Sequence, residues 1–177
     1  LAILQRLCAS VGLGPDTASA LAEGLQATLQ ADSDTAPLPP QQLADLVWLG
    51  LDAAAIDRLA AVVVLLPVAT PINLNTASRE VLAGVVAGLD LGSADRLVQA
   101  RVRTPLRSLA DAVAIVGAGP TLVERDVDVK SAYFEVRGRL RLENRVLETR
   151  SLVERRRGLQ VLAIQRQQQA SLLPAGP

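Results

Sequence analysis

A chain of 177 residues is long enough for one domain, or two small ones, with a real buried core. Basic and acidic residues balance at 18 each, and every basic residue but Lys130 is Arg, so no long-range field draws in nucleic acid or anionic lipid. His is absent and Cys8 is alone, which excludes the usual general base, the Ser-His and Cys-His triads, an intrachain disulfide and a thiolate metal cage.

Half of the residues are apolar, yet Phe, Tyr and Trp occur once each, so the core must be built from Ala, Leu and Val in closely packed helices. No apolar run approaches the roughly 18 residues that a membrane span needs. The chain opens at Leu1 and contains no Met, which leads us to expect that its own start, whether signal or anchor, precedes it.

Residues 1–30 read as a helical hairpin. Ile3, Leu4, Leu7 and Val11 fall on one face, Gly12-Leu13-Gly14-Pro15 breaks the helix, and Asp16 or Thr17 can cap the next. Cys8 lies on this pattern as a buried, inert thiol. The second helix turns Ala18, Leu21, Ala22, Leu25 and Leu29 inward. Residues 31–40 have the composition of a loop. Gln41 to Leu49 forms a short helix carrying Trp48, which is read as core packing or a partner anchor. Ala53 to about Leu65 forms another helix, stopped by Pro67.

Pro71 to Gly92 holds the densest pattern. Ile72-Asn73-Leu74-Asn75 alternates apolar and amide side chains and runs straight into a helix that begins near Ala77, capped by Asn75 or Thr76. Val81, Leu82, Val85 and Val86 form its apolar face, and Gly88 ends it. Gly12-Leu13, Gly50-Leu51 and Gly88-Leu89 recur every 38 residues. The last two turns also share the following Asp and a later Asp-Arg-Leu. Packed helical hairpins near 1–30, 41–66 and 76–119 account for the repeat. A further helix opens at Ser108-Leu109-Ala110-Asp111, which has the form of a capping box, and ends at Val116-Gly117.

After Asp128 the period changes to two. Phe134, Val136, Gly138, Leu140 and Leu142 lie on one face of a strand, with Glu135, Arg137, Arg139, Arg141 and Glu143 on the other. Val146 to Glu154 makes a second strand. Arg155-Arg156-Arg157-Gly158 is a turn whose arginines are read as a solvated cluster. Leu159 to Ile164 makes a third strand, apolar on both faces and so expected to be covered on both. The fold class is therefore α+β, with an α-helical domain over 1–128, an antiparallel sheet over 129–167 and a flexible tail over 168–177. The apolar face of the sheet needs a cover, from the helical domain or from a helix outside this chain.

Two resemblances follow. Residues 72–119 resemble the helix-hairpin-helix DNA-binding proteins of the competence receptor type, through Asn73, Asn75, Thr76, Ala77, Leu82, Ala94, Arg101, Leu109 and Gly117-Ala118-Gly119 in order. Against that use, Asp90 stands where phosphate would sit, and a neutral chain lacks the phosphate contacts that supply nonspecific affinity.

Nearly the whole chain resembles the K-class minor pseudopilins of type II secretion systems. The shared features are Leu4, Leu7, Gly12 and Leu13, the Ile-Asn-Leu-Asn-Thr-Ala-Ser entry, and Ser131-Ala132-Tyr133-Phe134-Glu135-Val136. This resemblance implies a pilin-like sheet carrying an inserted all-α domain of helix-hairpin-helix (SAM-like) repeats, with the N-terminal pilin helix absent from this chain. It implies a structural, non-enzymatic role at the pseudopilus tip with I- and J-class minor pseudopilins, and contact with the secretin or secreted substrate. It also implies a periplasmic location anchored in the inner membrane. Some relatives hold calcium through clustered carboxylates. Here Asp32 and Asp34 are the candidate metal ligands, although calcium wants 6–8 oxygens and two carboxylates make a weak site at best. No cofactor is required.

Overall fold

The computed structural model describes residues 1–29 and 38–172. They divide into two compact units, Leu1–Lys130 and the segment from Ser131 onward.

The first unit is helical and has two apolar cores. Helices α1 (Ala2–Ser10) and α2 (Pro15–Leu29), a 3-10 helix (Leu43–Leu49) and α3 (Ala53–Leu59) enclose Cys8, Leu13, Ala18, Leu21, Leu46, Leu51, Ala55 and Leu59. The second core lies among α4 (Arg79–Val85), α5 (Leu91–Arg103) and α6 (Leu109–Val116). It gathers Leu74, Val81, Leu82, Val85, Leu89, Ala94, Leu97, Leu106 and Ala112, and it is closed by Val127. Two short parallel strands, β1 (Ile72–Asn73) and β2 (Val127–Asp128), pair at its rim.

The three Gly-Leu turns share a left-handed glycine and a buried leucine, although α4 ends at Val85, capped by an extended Val86, and not at Gly88 as the sequence suggested. Gly12, Gly50 and Gly88 have φ of +72°, +88° and +80°, and Leu13, Leu51 and Leu89 are all buried behind them. In the first two turns the bonds form a Schellman motif. Leu13 N–H donates to the Cys8 carbonyl and Gly12 N–H to that of Ala9; Leu51 N–H donates to Leu46 and Gly50 N–H to Val47. Leucine then folds onto the residue whose carbonyl it caps, inside the same core. A side chain at these glycines would be strained by the positive φ alone. The aspartate that follows the second and third turns caps the next helix: Asp52 accepts from Ala55 N–H at 2.7 Å, and Asp90 from Ser93 N–H at 2.9 Å.

Several boundaries differ from the sequence expectation. Proline 15 occupies the first helical position of α2, which places Asp16 in the first turn and leaves neither Asp16 nor Thr17 as cap. Helix α3 stops at Leu59 rather than near Leu65, because the Val62-Val63-Val64 run and Pro67 disfavour another turn. Helix α4 is capped by Ser78, which accepts from Val81 N–H, and starts two residues after Ala77. Asn75 and Thr76 belong to a separate turn, in which the Asn73 carbonyl accepts from Thr76 and Ala77 N–H.

The second unit is an antiparallel sheet of β3 (Tyr133–Leu142), β4 (Arg145–Arg155) and β5 (Val161–Leu172), in that spatial order. The expected flexible tail over 168–177 is corrected for 168–172, where β5 pairs with β4 as far as Arg145↔Leu172; residues 173–177 lie outside the described residues. Its polar Gln167-Gln168-Gln169 run hides the strand in the sequence, but the ladder with β4 holds it extended. The expected cover on both faces of the third strand is not found among the described residues, where Val161, Leu162 and Ile164 are all exposed.

The second core should be the least tolerant of truncation. Leu74→Ala, at a fully buried position, is expected to cost about 2–5 kcal/mol in denaturant unfolding. The caps also set an acid limit. The carboxyls of Asp90, Asp45 and Asp111 lie below the usual carboxylate range, held there chiefly by bonds from Ser93, from Gln41 N–H and from Arg107 N–H respectively. Their stabilisation is fully present above the ordinary carboxylate pKa near ~4 and is lost as pH falls through the lower folded values. Melting temperature should therefore hold steady above about pH 5 and drop below about pH 4. Asp90→Asn, which keeps an acceptor but does not titrate, should make that drop shallower.

Candidate assembly surface

The Ile-Asn-Leu-Asn-Thr-Ala-Ser entry works as an internal latch. Ile72 N–H donates to the Asp126 carbonyl at 2.9 Å and Leu74 N–H to that of Asp128 at 2.8 Å, which join the start of the segment to its end. Between those bonds Leu74 plunges into the second core with no exposed surface. Asn75 then ties three strands of chain together. Its Oδ1 accepts from Leu106 N–H at 2.9 Å, and its Nδ2 donates to the Leu106 carbonyl at 2.9 Å and to the Val129 carbonyl at 3.3 Å. Asn73 Oδ1 accepts from Asn75 N–H, which fixes the turn that presents the Asn75 amide.

Arg101, near the end of α5, completes the latch from the other side. Its guanidinium donates to the Leu74 carbonyl at 2.5 Å and to the Ala77 carbonyl at 2.6 Å. Burial pulls its pKa down from the usual arginine value. This is the arginine that aligns with the DNA-binding pattern, and here both ends of its fork are taken by the main chain. Asp90, where a phosphate would sit, is occupied as a helix cap. The geometry gives no support to DNA binding.

The remaining sequence candidates fall elsewhere. Asp32 and Asp34 lie outside the described residues. Among the described residues no group of three His, Cys, Asp or Glu side chains is placed to hold a metal ion. Cys8 is fully buried, and burial pushes its thiol up. Trp48 is not core: it is 58% exposed on the 3-10 helix, beside the exposed Val47. The arginine turn is partly engaged, with Arg156 on Glu154 at 2.9 Å and Arg155 stacked 5.1 Å from the Phe134 ring centroid and bonded to the Ser131 carbonyl.

The sheet has two unlike faces. Cross-strand register puts Phe134 with Val153, Val136 with Ser151 and Leu140 with Leu147 on one of them. Phe134, Val136, Leu140, Leu142 and Leu147 are all exposed. The opposite face carries an ion-pair lattice in which Glu135 meets Arg137 and, at 3.1 Å, Arg150, while Arg139 meets Glu148 at 3.5 Å. A monomeric protein rarely leaves so many large apolar side chains together in water, and such a face marks a contact site. The sequence pattern made this face legible. Nothing in the pattern indicated that Arg101 points inward or that Asn75 reaches Leu106.

Asn75→Ala would strand the Leu106 N–H and is expected to cost about 1–3 kcal/mol by denaturant unfolding. Arg101→Lys should be clearly destabilising as well, because a single ammonium does not reproduce the two-pronged contact with Leu74 and Ala77.

Residues 72–130 match the family model for type II secretion system (T2SS), protein K. No curated protein matches the chain. The matched span starts at β1 and ends two residues after β2, so it coincides with the segment that the latch closes on itself. Among the described residues no helix is long and apolar enough to cross a membrane. Through this closed domain the chain is similar to the type II secretion system protein K family, which supports reading it as a type II secretion component.

Proposed function

We propose that the chain is the ectodomain of a K-class minor pseudopilin, a structural and non-enzymatic subunit at the tip of the pseudopilus. In this reading it starts assembly together with I- and J-class minor pseudopilins and faces the secretin or secreted substrate. The observation that carries the reading is the exposed apolar face of β3 and β4, in a chain that also contains the protein K domain. That face has the apolar character to receive an apolar helix, which would be the pilin helix that anchors the full-length subunit in the inner membrane from the periplasmic side. The ion-pair lattice on the other face keeps that side in water. Helix-hairpin-helix units serve here as a shape, with their turns committed to capping and packing.

The test is co-purification of the subunit, with a membrane-anchoring pilin helix at its N-terminus, with I- and J-class partners. A stable complex is expected, and Val136→Asp with Leu140→Asp should abolish it while the isolated domain keeps its melting temperature within about 2 °C, since both positions are exposed. Absence of any complex with the unsubstituted protein would overturn the assembly role. No calcium is needed in this reading, so a chelator should leave the melting temperature unchanged; a marked drop would bring Asp32 and Asp34 back as ligands.

A further inference from the structure

The balance of charge over the whole chain hides a local excess. From Ser131 onward there are nine Arg and four Glu, with no Lys and no Asp. On the ionic face of the sheet this excess gathers at one place. Register sets Arg137 opposite Arg150 and then Gln167 across the three strands, and two residues further along it sets Arg139 opposite Glu148 and then Gln169. These two rows are the walls of an open groove of about 670 Å³. Its floor is the row between them, Gly138, Thr149 and Gln168, whose side-chain positions belong to the opposite face. Val136 and Leu140, which flank Gly138 on the apolar face, do not line it, so the groove opens on the ionic side.

The first wall is short of negative charge. Like charges directly opposite on neighbouring strands repel, and Arg137 and Arg150 share one carboxylate, that of Glu135, which lies on the side of their row away from the groove. In the second wall Glu148 is engaged by Arg139 at 3.5 Å. The side chains of Arg137 and Arg150 keep 71% and 54% exposure, and a guanidinium has more donors than one shared carboxylate uses. We propose that the groove is a docking site for an acidic segment of a partner protein, with a carboxylate bridging Arg137 and Arg150 from the side opposite Glu135. Three strands at a spacing of about 4.8 Å make the groove about 10 Å long across the sheet, which suits an extended stretch of about three residues. The arginine fork matches a carboxylate, and the Gln169 amide can both donate to and accept from a peptide main chain. A dense polyanion fits less well, because Glu148 stands in the second wall and residues 1–130 carry fourteen Asp and Glu against nine Arg and Lys. The inference uses the face that the assembly reading leaves in water, and it stands whether or not that reading holds.

The experiment follows a short labelled peptide of alternating Glu and Ala by fluorescence anisotropy as the folded chain is added. Saturable binding is expected at low salt, weakening as salt is raised. Arg137→Ala or Arg150→Ala should weaken it about tenfold with no fall in melting temperature, since each removes one member of an exposed like-charged pair. Arg137→Lys should fall between, because the charge is kept and the fork is lost. Glu148→Gln should strengthen binding, because it removes a carboxylate from the groove and frees Arg139. Arg157→Ala takes away the same charge outside the groove and should leave the affinity unchanged. The proposal is overturned if the peptide does not bind, or if Arg157→Ala weakens binding as much as Arg137→Ala, which would make net charge the cause. It is equally overturned if duplex DNA binds more tightly than the peptide and displaces it, which would make the groove a general polyanion surface. A sedimentation coefficient that rises with concentration, and stops rising in Arg137→Ala, would seat a second copy in the groove and overturn it too.

Discussion

The helical unit depends on how it satisfies the main chain between Asn73 and Ala77. This stretch is neither helix nor extended ladder, yet it borders a closed core, so its carbonyls and N–H groups need partners from elsewhere in the chain. Arg101 takes two carbonyls, Asn75 supplies a donor and an acceptor to Leu106, and the carbonyls of Asp126 and Asp128 take the N–H groups of Ile72 and Leu74. Each partner is distant in sequence, and the set draws α5, the loop before α6 and β2 around Leu74. That leucine could not be fully buried unless the polar groups on both sides of it were paired.

The same requirement explains why a DNA-binding pattern can be used without DNA. Asparagine, arginine and glycine turns are what a phosphate grip needs, and they are also what an irregular entry into a packed helical pair needs. Here the arginine is spent on carbonyls and the aspartate on a helix N-terminus. Exposed apolar side chains do remain, on one face of the sheet and at Trp48 and Val47.

A good part of this was legible in the chain. The Gly-Leu period announced three left-handed glycines, each followed by a buried leucine, and in the first two the cap and the leucine folding back form a local unit that needs no distant contact. Ser108 and Asp111 announced their helix for the same reason. The two-residue period of β3 separated an apolar face from an ionic one. Two of the misses had a distant partner behind them. The strand β5 is extended because β4 holds it there, against a glutamine run that reads as tail. Asn75 gave up its capping role because Leu106 and Val129 claim its amide.

Residue order alone therefore determined the α+β division, the Gly-Leu turns, the apolar and ionic faces of β3 and the absence of histidine chemistry. All of these follow from composition and short-range periodicity. Tertiary structure decided where each polar side chain points. Arg101 turns inward, Arg6 reaches across to α4, and Gly84 admits Leu7, since each depends on which backbone groups lie within hydrogen-bond or contact distance once the helices have packed. Periodicity records which face is buried, but it carries no record of what that face is buried against.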